Sequence, residues 1–193
     1  MIIEEKGLVK AIKIAYRHGG YTVLNQGGEV TIYTEGWFVR CLWPKLPRKA
    51  LATIVEHMGM IPEKNVPTSI LKDEDPQLVL KEVAADDMSH WRGGERGEEV
   101  TLVPVIMQGY QIFQPPGGGS CWGVPLYLLD MIERDAAEHN GADVVDEDRL
   151  LWEADGEAIV IDTVRKARSS WAKEWERAVW NALEGVDLHK EEA

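Results

Sequence analysis

The sequence predicts an α+β fold in which an antiparallel sheet, built from a meander and hairpins, packs against three to four helices. Short segments with alternating apolar and polar residues stand between glycine-containing turns, as is typical of antiparallel strands. Longer segments carry apolar residues three and four positions apart, which is the spacing of one helical face. Strand pairs followed by a helix recur over residues 21–58, 100–139 and 149–183, which indicates a sheet with helices on one side.

The chain length favours a single domain over residues 1–193. A domain of this size buries roughly 70% of the surface that its unfolded chain exposes, so neither disulfides nor metals are needed to stabilise it. The segment 61–76 is rich in proline and charge, and it is the best candidate for a boundary between sub-domains.

The composition predicts a cytoplasmic protein. No apolar run approaches the roughly 18 residues that a membrane-spanning helix needs. Glu4 and Glu5 stand where a secretory signal would be basic and then apolar. Without an export signal, Cys41 and Cys121 are expected to be reduced thiols.

Charge is unevenly distributed along the chain. The net charge is -12, yet residues 1–50 contain eight basic and four acidic residues. Residues 130–157 contain eleven carboxylates against Arg134 and Arg149. Such a field repels phosphate backbones, so direct nucleic-acid binding is disfavoured. A solvated acidic surface that keeps the protein soluble accounts for the same charge.

The first third of the chain gives the clearest pattern. A helix is predicted over 5–18, where the apolar positions share one face and Gly19-Gly20 ends it. Three strands of a meander follow, and a helix closes the block. These elements are predicted at 21–25, 30–34, 37–43 and 48–58.

The middle of the chain is more polar. Residues 77–83 are compatible with a strand or a helix, and their loose alternation favours a strand. Residues 84–99 are polar and rich in glycine, which predicts a mobile exposed loop. Trp91, in the middle of this loop, either folds back over the core or marks a contact surface.

The second half of the chain predicts strands and two further helices. The strands are expected at 100–108, 110–114, 150–154 and 158–161, and one helix at 124–139. Asp162 is expected to cap a last helix that ends near Leu183. On its apolar face Trp171 and Trp175 would be core residues, whereas Trp180 lies off that face and is a candidate partner contact. The tail after this helix is expected to be frayed.

One loop resembles a reactive site. Gly118-Gly119-Ser120-Cys121-Trp122 resembles the signature around the nucleophile of papain-like cysteine peptidases, in which the cysteine opens a helix. The resemblance implies that Cys121 is a nucleophile, because backbone N-H groups at a helix N-terminus stabilise a thiolate. The remaining candidate binding residues are those around Cys121 and two distant tryptophans: Gly117, Gly118, Gly119, Ser120, Trp122, Trp91 and Trp180.

The same stretch departs from known motifs. Gly118 stands where the peptidase signature has a second cysteine, and the histidines after Cys121 are His139 and His189. The glycines lack the Gly-Lys-Ser/Thr ending of a phosphate-binding loop, so no nucleotide cofactor is predicted. Histidine and carboxylate spacings predict no metal site.

Three hypotheses follow. The favoured one is a non-catalytic accessory or interaction protein that binds an unknown protein partner or associates with itself. The alternative is a thiol-dependent enzyme that uses Cys121. The third is an acidic mimic of nucleic acid that binds a basic protein.

Overall fold

The computed structural model describes residues 1–92, 94–139, 141–166 and 172–190, and it confirms the α+β prediction. Within these ranges eleven strands form one antiparallel sheet in the order β5-β4-β1-β2-β3-β11-β10-β9-β6-β7-β8. The helices are α1 (Glu5–His18), α2 (Arg48–Met58), α3 (Lys81–Arg92), α4 (Leu126–Leu129), α5 (Arg134–His139) and α6 (Glu174–Glu184). The strands are β1 (Tyr21–Gln26), β2 (Glu29–Tyr33), β3 (Trp37–Leu42), β4 (Thr68–Ile70), β5 (Gln77–Leu78), β6 (Arg96–Met107), β7 (Tyr110–Gln114), β8 (Trp122–Pro125), β9 (Ala142–Val145), β10 (Arg149–Ala154) and β11 (Glu157–Asp162).

The N-terminal block follows the sequence prediction. The Glu4 side chain accepts a 2.6 Å hydrogen bond from the Gly7 N-H and so caps α1. β1, β2 and β3 form the predicted meander, and α2 ends at Gly59, whose left-handed backbone suits glycine. The meander joins the rest of the sheet through β3, because Val39 pairs with Ile159 of β11.

Both faces of the sheet are covered by helices. Alternate residues of a strand point to opposite faces. On the first face, residues such as Val39 and Ile159 belong to the large core that also contains residues of α1, α2, α4 and α5. On the second face, Phe38 and Val160 pack with residues of α3, and a separate cluster packs with α6. The expectation of helices on one side is therefore corrected: α3 and α6 cover the other side.

Gly7 allows α1 to approach the turn after α4 very closely. A Cβ atom at Gly7 would lie 1.6 Å from the backbone oxygen of Asp130. The Glu4 N-H donates a 2.8 Å hydrogen bond to the Met131 oxygen in the same contact. A side chain at position 7 would force the two segments apart.

The segment 77–99 differs from its prediction. Only Gln77 and Leu78 form a strand, and α3 replaces the loop expected over 84–99. Ala84, Met88 and Trp91 are the buried residues of α3, so an apolar stripe exists at positions i, i+4 and i+7. Most residues between them are exposed, which is why the local composition resembled that of a loop.

The helix predicted over 124–139 is wrong in its first part. Trp122–Pro125 forms β8, which pairs with β7 in register from Phe113↔Trp122 to Tyr110↔Pro125. Two short helices follow, α4 and α5, separated by a turn at 130–133. Pairing with β7 satisfies the backbone groups of this segment, and it overrides the helical spacing of the leucines.

The last third of the chain contains two further differences. β9 was not predicted, and it pairs with β10 and β6. Asp162 does not cap a helix but ends β11, after which Val164 pairs with Gly123 and covers the outer edge of β8. Trp171 lies outside the described residues. No helix in the described ranges has the length and apolar character needed to cross a membrane.

Candidate functional site

The glycine loop connects β7 to β8 and contacts the segment that follows α6. Gly117, Gly118 and Gly119 all have positive φ angles, a conformation that favours glycine. A Cβ atom at Gly118 would lie 3.2 Å from the Cα atom of Asp187. The loop therefore needs glycine both for its backbone conformation and for its contact with the C-terminal segment.

Gln114 links this loop to the C-terminal segment. Its buried amide nitrogen donates to the Val186 oxygen at 2.9 Å and to the Gly119 oxygen at 3.1 Å. Its side-chain oxygen accepts a 2.9 Å hydrogen bond from the Leu188 N-H. The tail that was expected to be frayed is thus held against the loop as far as His189, whose Nε2 lies 3.0 Å from the Gln114 backbone oxygen.

The structure places Cys121 before a strand and not at the start of a helix. The thiol is fully buried, and burial, followed by the negative charge of Glu184, raises its pKa to about 11. Glu184 Oε1 accepts a 3.2 Å hydrogen bond from the Cys121 N-H, so a carboxylate stands where thiolate activation would need positive charge. His189 Nε2 lies 3.0 Å from the backbone oxygen of Gln114.

Ser120 and Trp122 line an open groove of about 580 Å³ beside the N-terminal half of β6. The Trp122 indole donates a 2.8 Å hydrogen bond to the Glu147 oxygen, and the Arg165 guanidinium lies 4.8 Å from the centre of the Trp122 ring. The exposed carboxylates along the groove are Glu95, Glu98, Asp146 and Glu147. Arg96 and Arg165 also line the groove, so four carboxylates outnumber two guanidinium groups. Two residues of the predicted binding stretch therefore border a groove of net negative charge, which we call the acidic groove.

The two distant tryptophans are both buried. Trp91 is 5% exposed, and its ring packs on Phe38 with 6.0 Å between ring centres, so it folds back over the sheet. Trp180, predicted as a partner contact, is 0% exposed, whereas Trp175, predicted as core, is 54% exposed. The assignment of these two residues is reversed because α6 packs on the sheet through Trp180, which contacts Val103, Ile112 and Cys121, and turns the face with Trp175 to the outside.

An apolar stripe lies on the outer face of α6. Trp175, Val179 and Val186 are 54%, 40% and 55% exposed. Ala178 and Ala182, which are also exposed, lie between them along the same segment. We call these five residues the α6 stripe. It lies opposite the face through which Trp180 packs on the sheet, so α6 is apolar on two sides.

A second cavity lies between α3 and the sheet, and sequence reasoning missed it. It has a volume of about 420 Å³ and is lined by Asp87, His90 and Trp91 of α3. From the sheet side, Tyr33 and Glu35 contribute to its wall. The periodic spacing of Ala84, Met88 and Trp91 is the sequence signal that could have revealed this helix.

The described residues contain no group of three or more histidine, cysteine, aspartate or glutamate side chains placed to hold a metal ion. No protein-family model matches the chain, and neither a curated protein nor a solved structure resembles it at a significant level.

Proposed function

We propose that the protein is a non-catalytic interaction protein that associates with a second copy of itself through the α6 stripe. The single observation that carries this proposal is the exposure of Trp175 and Val179 on α6 and of Val186 directly after it. Tryptophan is enriched among the residues that dominate the binding energy of protein interfaces. A contiguous apolar stripe on a surface helix is also typical of a contact site.

Local charge supports a second copy as the occupant. Two chains of net charge -12 repel each other on average. Residues 172–190, however, contain three basic residues against four acidic ones, so this segment is nearly neutral. It is therefore a part of the surface that two acidic copies can bring together with little repulsion.

The order of side-chain sizes along α6 also suits self-association. In an antiparallel two-fold pair centred between Ala178 and Val179, Trp175 of each copy would lie opposite Ala182 of the other. Large residues would then pack against small ones, which allows close approach of the two helices.

The environment of the cysteines supports a function without thiol chemistry. Burial is the main cause that raises the pKa of Cys121 to about 11 and that of Cys41 to about 12. A thiol with so high a pKa is almost entirely protonated at neutral pH, and the thiolate is the reactive form.

Size-exclusion chromatography with light scattering, over a series of protein concentrations, tests the proposal. We expect a dimer, and we expect Trp175→Ala and Val179→Asp each to weaken its association by at least about tenfold. Tyr127→Ala is the matched control, because Tyr127 is a 38% exposed aromatic residue on α4 and outside the stripe. A wild-type chain that stays monomeric at all concentrations, or equal weakening by the control, would contradict the proposal.

The acidic groove favours a second candidate function, binding of a basic protein in the manner of a nucleic-acid mimic. Four exposed carboxylates border the groove beside Ser120 and Trp122. A poly-lysine peptide is a suitable probe. Binding should fall steeply with salt and be weaker for Glu95→Gln/Glu98→Gln than for Asp75→Asn/Glu82→Gln, which removes equal charge elsewhere. If both double variants lose the same amount of poly-lysine binding, the peptide is attracted by the overall negative charge and not by the groove. That result would contradict this candidate function.

A further inference from the structure

The cavity under α3 has a polar floor formed by three neighbouring strands. Thr22 of β1 pairs with Tyr33 of β2 on one side and with Ser69 of β4 on the other. Paired residues of adjacent strands point to the same face of a sheet. Three hydroxyl-bearing side chains, Ser69, Thr22 and Tyr33, therefore lie in a row on this face, and the longest of them, Tyr33, extends to α3 above.

Two carboxylates line this cavity, and no lysine or arginine among the described residues forms an ion pair with either. Asp87 on α3 and Glu35 in the turn between β2 and β3 both contribute to the wall, and the lining contains no lysine or arginine. Several carboxylates elsewhere on the described chain are ion-paired, such as Asp130 with Lys10, Glu153 with Arg40 and Glu176 with Lys166. The basic side chain of the α3 cavity lining is His90, so the two carboxylates face no permanently charged cation within the lining.

Tyr33 fixes the orientation of one of these carboxylates. Its hydroxyl donates a 3.1 Å hydrogen bond to Asp87 Oδ2, and the residue is 5% exposed. Burial, followed by the charge of Asp87, raises the pKa of Tyr33 above its usual range, so the hydroxyl stays a donor. Since Tyr33 holds one oxygen, the other oxygen of Asp87 remains to accept a hydrogen bond from a ligand.

Aromatic carbon provides an apolar wall beside these charges. Tyr33 and Trp91 both line the cavity, and Trp91 is held in place by its packing on Phe38. The volume of about 420 Å³ lies within the range of small-molecule pockets. An alkyl chain can contact the rings while a positively charged end group bonds to the carboxylates.

We propose that this cavity, which we call the α3 pocket, binds a small organic amine as its ammonium cation. Asp87 accepts a charge-assisted hydrogen bond from the ammonium group. Glu35 contributes a second negative charge at the rim, and the hydroxyl row of Ser69, Thr22 and Tyr33 offers further hydrogen bonds. This assignment goes beyond the proposed self-association, since α3 and α6 pack on the sheet in separate clusters.

Isothermal titration calorimetry with putrescine tests this inference, with 1,4-butanediol as the uncharged analogue of the same length. At physiological salt, which screens general attraction to an acidic protein, putrescine should bind and the diol should not. Asp87→Asn should weaken binding by at least about tenfold, because the charge-assisted bond is lost while the side-chain shape is kept. Asp86→Asn is the matched control, since Asp86 is an exposed neighbour on α3 that does not line the pocket.

Three results would overturn the inference. One is the absence of putrescine binding up to about 10 mM. Another is equal binding of putrescine and the diol. The third is equal weakening by Asp87→Asn and Asp86→Asn, which would indicate attraction to the overall charge. Circular dichroism and thermal melting of both variants establish that they are folded, so a loss of binding cannot be attributed to unfolding.

Discussion

The hydroxyl of Tyr33 and the carboxylate of Asp87 lie 3.1 Å apart and connect β2 to α3. α3 also contacts the sheet through three buried side chains, Ala84, Met88 and Trp91. Two further polar contacts exist: the Arg149 guanidinium of β10 donates to the His90 oxygen, and Arg92 forms an ion pair with Glu29 of β2. This hydrogen bond therefore contributes to holding the helix that forms the roof of the α3 pocket.

Tyr33→Phe should loosen α3 selectively. A hydrogen bond to a charged group contributes about 1.5–3 kcal/mol, so we expect the free energy of unfolding to fall by an amount of that order. Hydrogen exchange of the amides of Lys81–Arg92 should accelerate more than that of α6. Tyr127→Phe, at a 38% exposed position, is the control and should change neither quantity. Unchanged exchange in α3 would show that the bond does not hold the helix.

Gly7→Ala should destabilise the protein although alanine favours helices. Helix propensity alone would stabilise α1 by about 1 kcal/mol. The new Cβ atom would lie 1.6 Å from the Asp130 oxygen, so the contact between α1 and the turn after α4 must open, at an expected cost of about 2–4 kcal/mol. Gly19→Ala is the control, because its Cβ atom would meet nothing within 4 Å. Urea denaturation of both variants measures the difference, and a stabilised Gly7→Ala variant would contradict the close approach.

Gln114→Glu should release the C-terminal segment. A glutamate would place carboxylate oxygens against the backbone oxygens of Gly119 and Val186, which now accept from the Gln114 amide. We expect a loss of stability of about 2–4 kcal/mol at neutral pH, greater than that of Gln114→Ala, since repulsion is added to the lost bonds. Urea denaturation measures the loss, and hydrogen exchange over 183–190 reports the release. Equal stability of both variants would argue against this donor role.

Alkaline pH should weaken the fold through Cys121. Its thiol ionises near pH 9 in the unfolded chain and near pH 11 in the folded one, so the folded state retains a proton that the unfolded state loses. The stabilising contribution is therefore complete below about pH 9 and is lost as pH rises through about 11. Between about pH 8 and pH 10.5, the free energy of unfolding measured with urea should fall less for Cys121→Ala than for the wild type. Burial also raises the pKa of Cys41 and of Tyr21, so part of the alkaline loss of stability remains in both the wild type and the variant.

Thiol labelling gives an independent measure of the same burial. Cys121 should react with a disulfide reagent at least about tenfold more slowly in the folded chain than in urea. Fast labelling of folded protein near neutral pH would contradict the buried environment of Cys121 and revive the thiol-dependent hypothesis.

The sequence predicted the elements whose pattern is set locally. In the hairpin of β10 and β11, alternating residues flank Asp155-Gly156, and both of these turn residues have positive φ angles. Turn chemistry and alternation act over a few neighbouring residues, so one sequence is enough to identify them.

Elements that depend on distant partners were missed. β8 is a strand because β7 lies beside it, although its sequence continues into a helical spacing of leucines. Trp180 is buried because it packs on apolar residues of the second face of the sheet, such as Val103 and Ile112. The local sequence around Trp180 gives no information about these distant residues. The sequence pattern drew attention to the stretch around Ser120 and Trp122, which borders the acidic groove, and its role stays a prediction. The pocket beside Asp87 had no local signal, because it depends on packing between β2 and α3.

The position of β11 between β3 and β10 has a consequence for folding during synthesis. The edge of β3 is completed by Ile159 and its neighbours, which lie more than a hundred residues further along the chain. A ribosome that has made the meander must therefore synthesise most of the protein before that edge is covered. Contacts between such distant segments slow folding, and an uncovered strand edge is prone to pair with other chains. We expect nascent chains that end before residue 157 to aggregate or to bind chaperones, and chains that include β11 to fold.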